Sequence, residues 1–533
     1  METLHGLAAG WDLIATPTGL MAMVIGLTVG FIAGVLPGFS GPNAAALLLP
    51  ISLHYPLEIA LALIISIYAG TTFGGTIPAI LINVPGEGGA AATALDGHPM
   101  AKAGKAQLAI GIARMASVLG GVIGVGIAIV LIHPISAIAI RIGPPELFIA
   151  SMIGVTVCAT LIGDNVAKGL TVAFLGMLIS AMSVGPISAE PRLDFGIPEL
   201  YDQIPLVAAV VGIFALSEMM LLPKQMAESS GQADYVAADQ RPQSTHWTGK
   251  LLRLLGLDNV PEIVRGVRVT LGYPWAVLQG SLIGLLIGTV PGIGSSVSNL
   301  VAYGAAKRWA KDKSRFGKGH PVGIIASEAS DNALAGGSLI PTLTLGIPGN
   351  ATSAVMLAAL YLYGIQPGPQ FMSAHPGEAY AVLLAAFCSS VLILPLGIVL
   401  SSPLIYFTKI KMPILVPATM LISVIGAYAT NASMFDVSVA LAFGLLTLLL
   451  RIFNYPIIPL FLGLILGPLA ENNFVRSLAL ARYHADIFWQ STPSKVLLAV
   501  LAGLLATGIA RNLRRRPTEE RAEGHEGIAA TPD

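Results

Sequence analysis

Apolar residues run in long stretches along almost the whole chain, and this pattern predicts membrane-spanning helices rather than strands. A helix needs about 20 apolar residues to cross a bilayer. The stretches lie at residues 20–50, 57–84, 107–132, 145–162, 167–186, 205–222, 275–303, 322–347, 349–363, 378–405, 413–430, 437–452, 455–470 and 493–510. Because some are too long for one span and others too short, we expect an all-α, polytopic integral membrane protein with roughly 11–14 transmembrane or re-entrant helices.

Two polar segments interrupt this pattern and suggest the domain boundaries. Residues 223–270 form a hydrophilic linker between two membrane parts, residues 1–222 and residues 271–510, and residues 511–533 form a charged tail that we expect to be disordered. From residue 250 onward, the linker mixes leucine and valine with Arg253, Arg265 and Arg268. This part is either an amphipathic helix on the membrane surface or an irregular connection.

Composition agrees with the membrane class. Only 11% of the residues are charged, against about 25% in ordinary soluble domains. The 29 basic and 29 acidic residues cancel, and no basic stripe indicates a nucleic-acid partner. The two cysteines, Cys158 and Cys388, lie in apolar stretches and provide neither a disulfide framework nor a metal-binding spacing.

The two membrane parts repeat one pattern of glycine and proline. A first set shifts by 254 positions and a second set by 263. The first set maps Gly26, Gly30, Gly34, Pro37 and Gly38 onto Gly280, Gly284, Gly288, Pro291 and Gly292. The second maps Gly74, Ile77, Pro78, Pro85 and Gly86 onto Gly337, Ile340, Pro341, Pro348 and Gly349. Matches in the same order indicate two halves built on one plan.

Basic loops indicate that the two halves are inverted relative to each other. The loop at residues 307–320 is rich in lysine and arginine, whereas its counterpart at residues 51–56 has none. Conversely, Lys102 and Lys105 follow the second motif of the first half, and the counterpart at residues 366–378 has no basic residue. Because basic loops stay in the cytoplasm, this alternation favours an inverted repeat over a parallel one.

The glycine and proline motifs predict helices that break within the membrane. The expected breaks lie at Pro37, Gly38, Pro78, Pro85, Gly86, Pro291, Gly292, Pro341, Pro348 and Gly349. Glycine at every fourth position also lets two helices approach closely, so packing alone accounts for the glycine ladders. Broken helices near the membrane centre expose backbone N–H groups, which suit an anion such as a carboxylate.

Small polar residues beside the breaks are the candidate ligands of a small anion held between the halves. They are Ser40, Asn43, Thr71, Thr72, Gly74, Gly75, Thr76 and Asn83 in the first half, and Ser295, Ser296, Asn299, Gly337, Ser338, Thr342 and Asn350 in the second. Few basic residues lie inside any apolar stretch, so these groups would have to hold the charge. The alternative is that they only satisfy the broken backbone.

Glu328, Asp331 and Asn332 are the candidates for cation or proton coupling. Glu328 and Asp331 lie three residues apart and therefore share a helix face. A carboxylate within a membrane span is costly and usually functional. The alternative is that both lie at the membrane surface and pair with Lys318 or Arg315. A Na⁺ site would be compatible with either half, without assigned ligands.

Enzyme motifs are missing, and we expect no catalytic residue. The chain contains neither H-E-x-x-H nor the phosphate-binding G-x-x-x-x-G-K-[S/T]. Residues 38–41 match the G-x-S-G run of intramembrane serine proteases, but the position equivalent to Ser40 is Gly294. The repeated scaffold thus persists where the nucleophile does not.

Several runs resemble one family, the large membrane subunit (TctA type) of the tripartite tricarboxylate transporters. They are GVLPG at 34–38, ALDGHPMAK at 94–102, GIPEL at 196–200, GIFALSE at 212–218, GTVPG at 288–292 and EASDNA at 328–333. The resemblance extends from about residue 20 to about residue 480.

The resemblance implies a cation-coupled uptake system of the bacterial inner membrane. Its expected partners are a small membrane subunit (TctB type) and a periplasmic solute-binding protein (TctC type), and its expected substrate is a di- or tricarboxylate such as citrate. It implies no cofactor, and Na⁺ or H⁺ as the coupling ion. A stand-alone carboxylate symporter or a channel is the alternative.

Inverted topology makes a direct prediction about accessibility. Cysteines introduced at Lys313 and at Ala374, in a chain whose native cysteines are replaced, should react with a membrane-impermeant reagent from opposite sides. Labelling of both positions from the same side would contradict the inversion.

Overall fold

The fold is described from a computed structural model of the chain. It describes residues 2–36, 39–140, 142–162, 166–184, 191–201, 203–228, 260–291, 294–407 and 412–508. The predicted tail at 511–533 and most of the linker at 223–270 lie outside these residues, as do the predicted helix breaks Pro37, Gly38 and Gly292.

Helices make up most of the first half of the described chain. They are α1 (Glu2–Ile14), α2 (Pro17–Val35), α3 (Gly41–Ser52), α4 (Leu57–Ile82), α5 (Ala90–Lys102), α6 (Ala106–Ala139), α7 (Pro144–Ile162), α8 (Val166–Ser180), α9 (Leu206–Val210) and α10 (Ser217–Glu228). A π-helical segment, Val211–Leu216, joins α9 to α10. Between α8 and α9, two antiparallel two-residue strands, β1 (Ser183–Val184) and β2 (Pro191–Arg192), precede a 3₁₀ turn at Pro198–Leu200.

The second half is helical as well. Its helices are α11 (Val260–Leu271), α12 (Pro274–Gly288), α13 (Gly294–Trp309), α14 (Pro321–Leu345), α15 (Ala351–Leu362), α16 (Phe371–Ala374), α17 (Pro376–Phe407), α18 (Met412–Asn431), α19 (Met434–Ile452), α20 (Ile458–Leu480) and α21 (Thr492–Gly508). Two 3₁₀ turns lie at Lys313–Arg315 and Ala485–Trp489.

The chain is an all-α, multi-pass membrane protein, as the apolar stretches predicted. Within the described residues, eight helices are long and apolar enough to cross a membrane, or nine if α11 and α12, bent by 80°, form one span. Four shorter apolar helices accompany them. The difference from the predicted 11–14 arises largely because these four shorter helices correspond to the predicted stretches 145–162, 167–186, 349–363 and 493–510.

Two compact units make up the chain, and neither coincides with a sequence half. The first unit comprises Met1–Arg141 and Pro205–Leu449, and the second comprises Ile142–Ile204 and Leu450–Asp533. In the second unit, Gly176 of α8 and Gly463 of α20 bring these two helices into backbone contact. All candidate site residues belong to the first unit. The repeat boundaries at 222 and 271 describe a duplication in sequence, and they stay predictions.

Glycines bring α2 against α4 and α12 against α14 through equivalent contacts. A β-carbon on Gly30 would lie 2.4 Å from the Ile67 carbonyl oxygen of α4. In the other pair, Gly284 faces the Ser330 carbonyl in the same way. Gly26 and Leu63 correspond likewise to Gly280 and Ala326, and Gly34 and Thr71 correspond to Gly288 and Leu334. Each contact pair shifts by the offsets 254 and 263 of the sequence repeat.

Pro78 and Pro341 do not break their helices, and that prediction is wrong. Both prolines lie inside continuous helices, α4 and α14. A proline removes one backbone hydrogen bond, which closely packed neighbours in a membrane protein tolerate. The helices end instead at Asn83 and Gly346, which occupy the left-handed region with φ of 54° and 70°. Pro85, Gly86, Pro348 and Gly349 follow in the turns, and Pro291 lies between α12 and α13.

The described part of the linker is helical. Residues 250–259 are outside the described residues, but Val260–Leu271 form α11. This helix packs on α6, where a β-carbon on Gly266 would lie 2.6 Å from the Ile112 nitrogen. Thr270 Oγ1 also donates to the Ile112 carbonyl at 3.2 Å.

Alanine at the interhelical glycines should destabilise the protein. A methyl group at Gly30 or Gly284 would overlap the neighbouring backbone, and overpacking of this kind costs about 1–3 kcal/mol. We expect Gly30→Ala and Gly284→Ala to lower the unfolding temperature of the detergent-purified protein.

The matched control is Gly126→Ala in α6, where an added β-carbon meets no described atom within 4 Å. It should leave stability unchanged or raise it slightly, because alanine favours helix over glycine by about 1 kcal/mol. Equal destabilisation by all three variants would contradict the packing argument.

Candidate functional site

The site is built around α4 and α14, which are buried along nearly their whole length. Side chains connect the two helices directly. Thr72 Oγ1 donates to Asn332 Oδ1 at 3.0 Å. One turn further along, Thr76 Oγ1 donates to Glu328 Oε1 at 2.7 Å. The halves of the sequence therefore meet through polar contacts in the interior.

Glu328 is fully buried and is held by hydroxyl groups. Besides Thr76, it accepts from Thr93 Oγ1 of α5 at 2.5 Å and from Ser117 Oγ of α6 at 2.8 Å. The alternative that Glu328 pairs with a loop cation at the membrane surface is therefore wrong. Its carboxyl group instead connects α14 to α4, α5 and α6.

Four helices, α3, α5, α13 and α15, begin next to α4 and α14, and their N-termini form two groups. The first group contains no acidic side chain. Here the N-termini of α3 and α15 meet beside α4, because a β-carbon on Gly41 would lie 2.7 Å from Thr71 Oγ1 and 3.2 Å from Thr352 Oγ1. Asn350 Nδ2 donates to the Tyr68 hydroxyl at 3.0 Å. We call this group the neutral site. It consists of Asn43, Tyr68, Thr71, Asn350 and Thr352.

The second group is acidic and joins the N-termini of α5 and α13 beside α14. Asn299 Nδ2 donates to the Gly89 carbonyl at 2.9 Å. The Asp331 carboxylate also lies against Gly89, and Glu87 immediately precedes these glycines. We call this group the acidic site. It consists of Glu87, Gly89, Asn299 and Asp331.

The predicted anion ligands are divided between these groups and the helix interiors. Ser40 and Asn43 lie at the start of α3, and Ser295, Ser296 and Asn299 lie at the start of α13. Several hydroxyls are already used within the protein: Thr71 binds the Tyr68 carbonyl, Ser338 that of Ala335, and Thr342 that of Ser338. Gly74, Gly75 and Gly337 provide close backbone packing, and Asn83 ends α4.

Sequence reasoning missed Tyr68, Glu87, Thr93 and Ser117. A signal existed for Glu87, since it directly follows the repeated Pro-Gly motif and is equivalent to the predicted Asn350. Tyr68 is likewise equivalent to Asp331. The hydroxyl donors Thr93 and Ser117 gave no signal, because they reach Glu328 only through the tertiary packing of α5 and α6.

Asp96 of α5 fixes the beginning of α14. Its Oδ1 accepts from the backbone N–H groups of Gly317, Gly319 and His320 at 2.8–2.9 Å, and its Oδ2 accepts from the Tyr303 hydroxyl at 3.0 Å. His320 then caps α14, with Nδ1 accepting from the Val322 N–H. Burial and nearby Arg315 lower the pKa of His320, which suits this acceptor role.

Fold and site together define a class: a multi-pass membrane protein whose helix ends form polar sites inside the bundle, an architecture typical of secondary transporters. Comparison with known proteins identifies the family. The family model described as "Tripartite tricarboxylate transporter TctA family" matches residues 20–462. The chain therefore belongs to this transporter family, as the sequence motifs predicted.

Two relatives from Agrobacterium vitis are similar to the chain. One, named "Uncharacterized 52.8 kDa protein in TAR-I ttuC' 3'region", is 30% identical over 510 residues, 96% of this chain and 95% of the relative. Another, named "Uncharacterized protein in TAR-II ttuC' 3'region", is 32% identical over 227 residues, 42% of this chain and 90% of the relative. No solved structure matches the chain.

Removal of the Asp96 carboxylate should release the loop before α14. In Asp96→Ala, three backbone N–H groups lose their acceptor, and each lost hydrogen bond to a charged group costs about 1.5–3 kcal/mol. We expect faster tryptic cleavage at Lys313 and Lys318 and a lower unfolding temperature.

Asp96→Asn tests the geometry separately from the charge. Its amide oxygen can still accept the three N–H groups, so cleavage should slow to near the wild-type rate. Asp312→Ala, which removes only an exposed contact to Ser314, serves as the loop control. Wild-type cleavage kinetics in Asp96→Ala would show that the loop does not depend on this carboxylate.

Proposed function

We propose that the chain is the large permease subunit of a binding-protein-dependent, cation-coupled system that takes up a di- or tricarboxylate across the bacterial inner membrane. Membership of the family supports the tripartite arrangement, with a small membrane subunit and a periplasmic solute-binding protein as partners. The same membership supports the proposed localisation and the proposed substrate class.

The observation that carries the substrate proposal is the neutral site. Two helices of 12 residues each, α3 and α15, begin here, and each N-terminus contributes about half a positive charge. The side chain of Ser40, the N-cap residue of α3, makes no capping hydrogen bond. Pro42 has no N–H and the Ala44 N–H binds the Ser40 carbonyl, so the first-turn donors that α3 can offer to a ligand are the N–H groups of Gly41 and Asn43. None of the five residues of this group is acidic, but the carboxyl groups of Asp331 and Glu87 lie close enough to act electrostatically on Tyr68. The positive ends of α3 and α15 are the complement of a carboxylate group.

Two side chains add directed donors to the neutral site. Asn43 is 1% exposed, and its Nδ2 has no hydrogen-bond partner among the described residues. Tyr68 accepts from Asn350 and can therefore donate its own proton to a ligand. A buried donor without a partner is costly unless a ligand satisfies it.

Uptake by reconstituted vesicles tests the tripartite arrangement. We expect vesicles with both membrane subunits to take up labelled citrate at low concentration only when the binding protein and a cation gradient are present. Uptake by this chain alone without the binding protein would favour the stand-alone symporter, and passive flux without a gradient would favour a channel. No uptake of any di- or tricarboxylate under any condition would overturn the proposal.

Loss of one donor at the neutral site should weaken substrate binding. A hydrogen bond to a charged group contributes about 1.5–3 kcal/mol, so Asn43→Ala and Tyr68→Phe should raise the half-saturating substrate concentration about tenfold or more. Thr28→Ala, which removes an exposed hydroxyl bound to its own helix, is the control. Reduced stability with unchanged affinity would show instead that these groups only support the fold.

A further inference from the structure

The neutral and acidic sites occupy equivalent positions of the repeat. The offset of 263 maps Tyr68 onto Asp331 and Glu87 onto Asn350. In the neutral site, the pair Tyr68 and Asn350 is uncharged and hydrogen-bonded. The equivalent pair in the acidic site, Asp331 and Glu87, consists of two carboxyl groups. The repeat therefore places an uncharged, hydrogen-bonded pair at one site and a pair of electrostatically interacting carboxyl groups at the other.

Several buried oxygen atoms of the acidic site have no hydrogen-bond partner among the described residues. Both carboxylate oxygens of Asp331, Oε2 of Glu87 and Oδ1 of Asn299 are buried, and none has a hydrogen-bond partner within the described parts of the chain. Asp331 and Asn299 are each 0% exposed. Asn299 Nδ2 donates to the Gly89 carbonyl at 2.9 Å and lies beside the Asp331 carboxylate. All four atoms are acceptors, so their ligand must be positively charged or a donor.

Gly89 provides the room for this arrangement. A β-carbon there would lie 2.6 and 2.7 Å from the two Asp331 oxygens and 2.7 Å from Asn299 Nδ2. The neighbouring Gly88 and Ser296 are exposed, so the site borders the accessible surface.

The net charge of the acidic site favours binding of a single monovalent cation. The N-termini of α5 and α13 together contribute about one positive charge, and two ionised carboxylates contribute two negative charges. With both of these carboxyl groups ionised, the remainder from the two residues is about one negative charge. Glu328, the third carboxyl group nearby, accepts three hydroxyl hydrogen bonds, which stabilise its charge without cancelling it, and it is not counted as a ligand of the ion.

A metal ion satisfies these oxygens better than a proton does. One proton bridges two oxygens at most, and the amide oxygen of Asn299 does not take up a proton. Hard cations prefer several oxygen ligands, and helix ends and carbonyl groups coordinate Na⁺ in transporters. Carboxylate and amide oxygens on three side chains match this preference.

We propose that Glu87, Asp331 and Asn299 form a Na⁺ site. Of the two repeat-related sites, the acidic site then binds the cation and the neutral site binds the carboxylate. Asn299 accordingly serves the cation rather than the anion predicted from sequence. Glu328 and Asn332 position α14 rather than bind the ion. The coupling role of the site rests on the proposed transport function, whereas Na⁺ binding itself does not.

The test measures Na⁺ binding to the purified full-length chain without carboxylate. At constant ionic strength, replacing choline by Na⁺ should raise the unfolding temperature with saturation, and calorimetry should detect Na⁺ binding. In Glu87→Gln, Asp331→Asn and Asn299→Ala, the half-saturating Na⁺ concentration should rise at least about tenfold.

Matched variants separate the site from general effects. Asp436→Asn removes another buried carboxylate of the same unit, one that is hydrogen-bonded to Asn431, and it should keep the wild-type Na⁺ response. If Asp331→Asn does not fold, Glu87→Gln, at a partly exposed side chain, still tests the site.

Three outcomes would overturn the Na⁺ site. They are a wild-type chain indifferent to Na⁺, an unchanged Na⁺ response in Glu87→Gln and Asn299→Ala, and a stability that depends on pH but not on Na⁺, which would assign the oxygens to protons. Failure of the proposed function gives a different result, namely saturable Na⁺ binding in a chain that carries no carboxylate. Na⁺-independent uptake would leave the transport function standing and remove the coupling role of the Na⁺ site.

Discussion

Backbone contact through glycine is the constraint on which the rest of the site depends. Where α2 meets α4 and α12 meets α14, carbonyl groups of one helix occupy the space that side chains would fill. The contact continues past the helix ends, since Gly86 lies against the Gly34 carbonyl and Gly349 against the Gly288 carbonyl. These contacts fix the position of the turn after α4 relative to α2, and that of the turn after α14 relative to α12. The start points of α5 and α15, which carry one side of each site, are fixed with them.

This packing leaves α4 and α14 without access to solvent, so their polar groups must find partners inside the protein. An unsatisfied polar group is expensive in such surroundings. Thr72, Thr76 and the hydroxyls that hold Glu328 meet this requirement. The exceptions are then informative. Two buried groups without described partners, Asn43 and Asp331, lie beside helix N-termini, where a ligand can supply the missing partner, whereas others, such as Gln279 and Thr447, lie elsewhere.

Sequence pattern predicted the membrane class, most helices and the motifs that form the core contacts, because glycine spacing and apolar length report directly on packing in lipid. It did not predict where the helices end. Pro78 and Pro341 were predicted to break their helices, but the helices end at Asn83 and Gly346, since the surrounding helices tolerate the missing backbone hydrogen bond.

The sequence also did not predict which partners the serine and threonine hydroxyls bind. Ser338 and Thr342 bind carbonyls of their own helix, whereas Thr93 and Ser117 reach Glu328 only in the folded bundle. Glu87 could have been found by carrying the repeat offset one residue past Gly86.

Duplication explains how one framework can serve two ligands of opposite charge. The glycine contacts are the same in both halves, so the framework alone gives neither site a preference. The difference lies in the pair Tyr68 and Asn350 against the pair Asp331 and Glu87, set on similar helix ends. An isolated charge is costly in a low-dielectric interior, and a partner of opposite charge reduces that cost. A carboxylate group in the neutral site and Na⁺ in the acidic site would together leave the bundle close to neutral, whereas either ion alone would not. If the two sites bind as proposed, binding of one ion would on this physical ground favour binding of the other, which is the requirement for coupled transport.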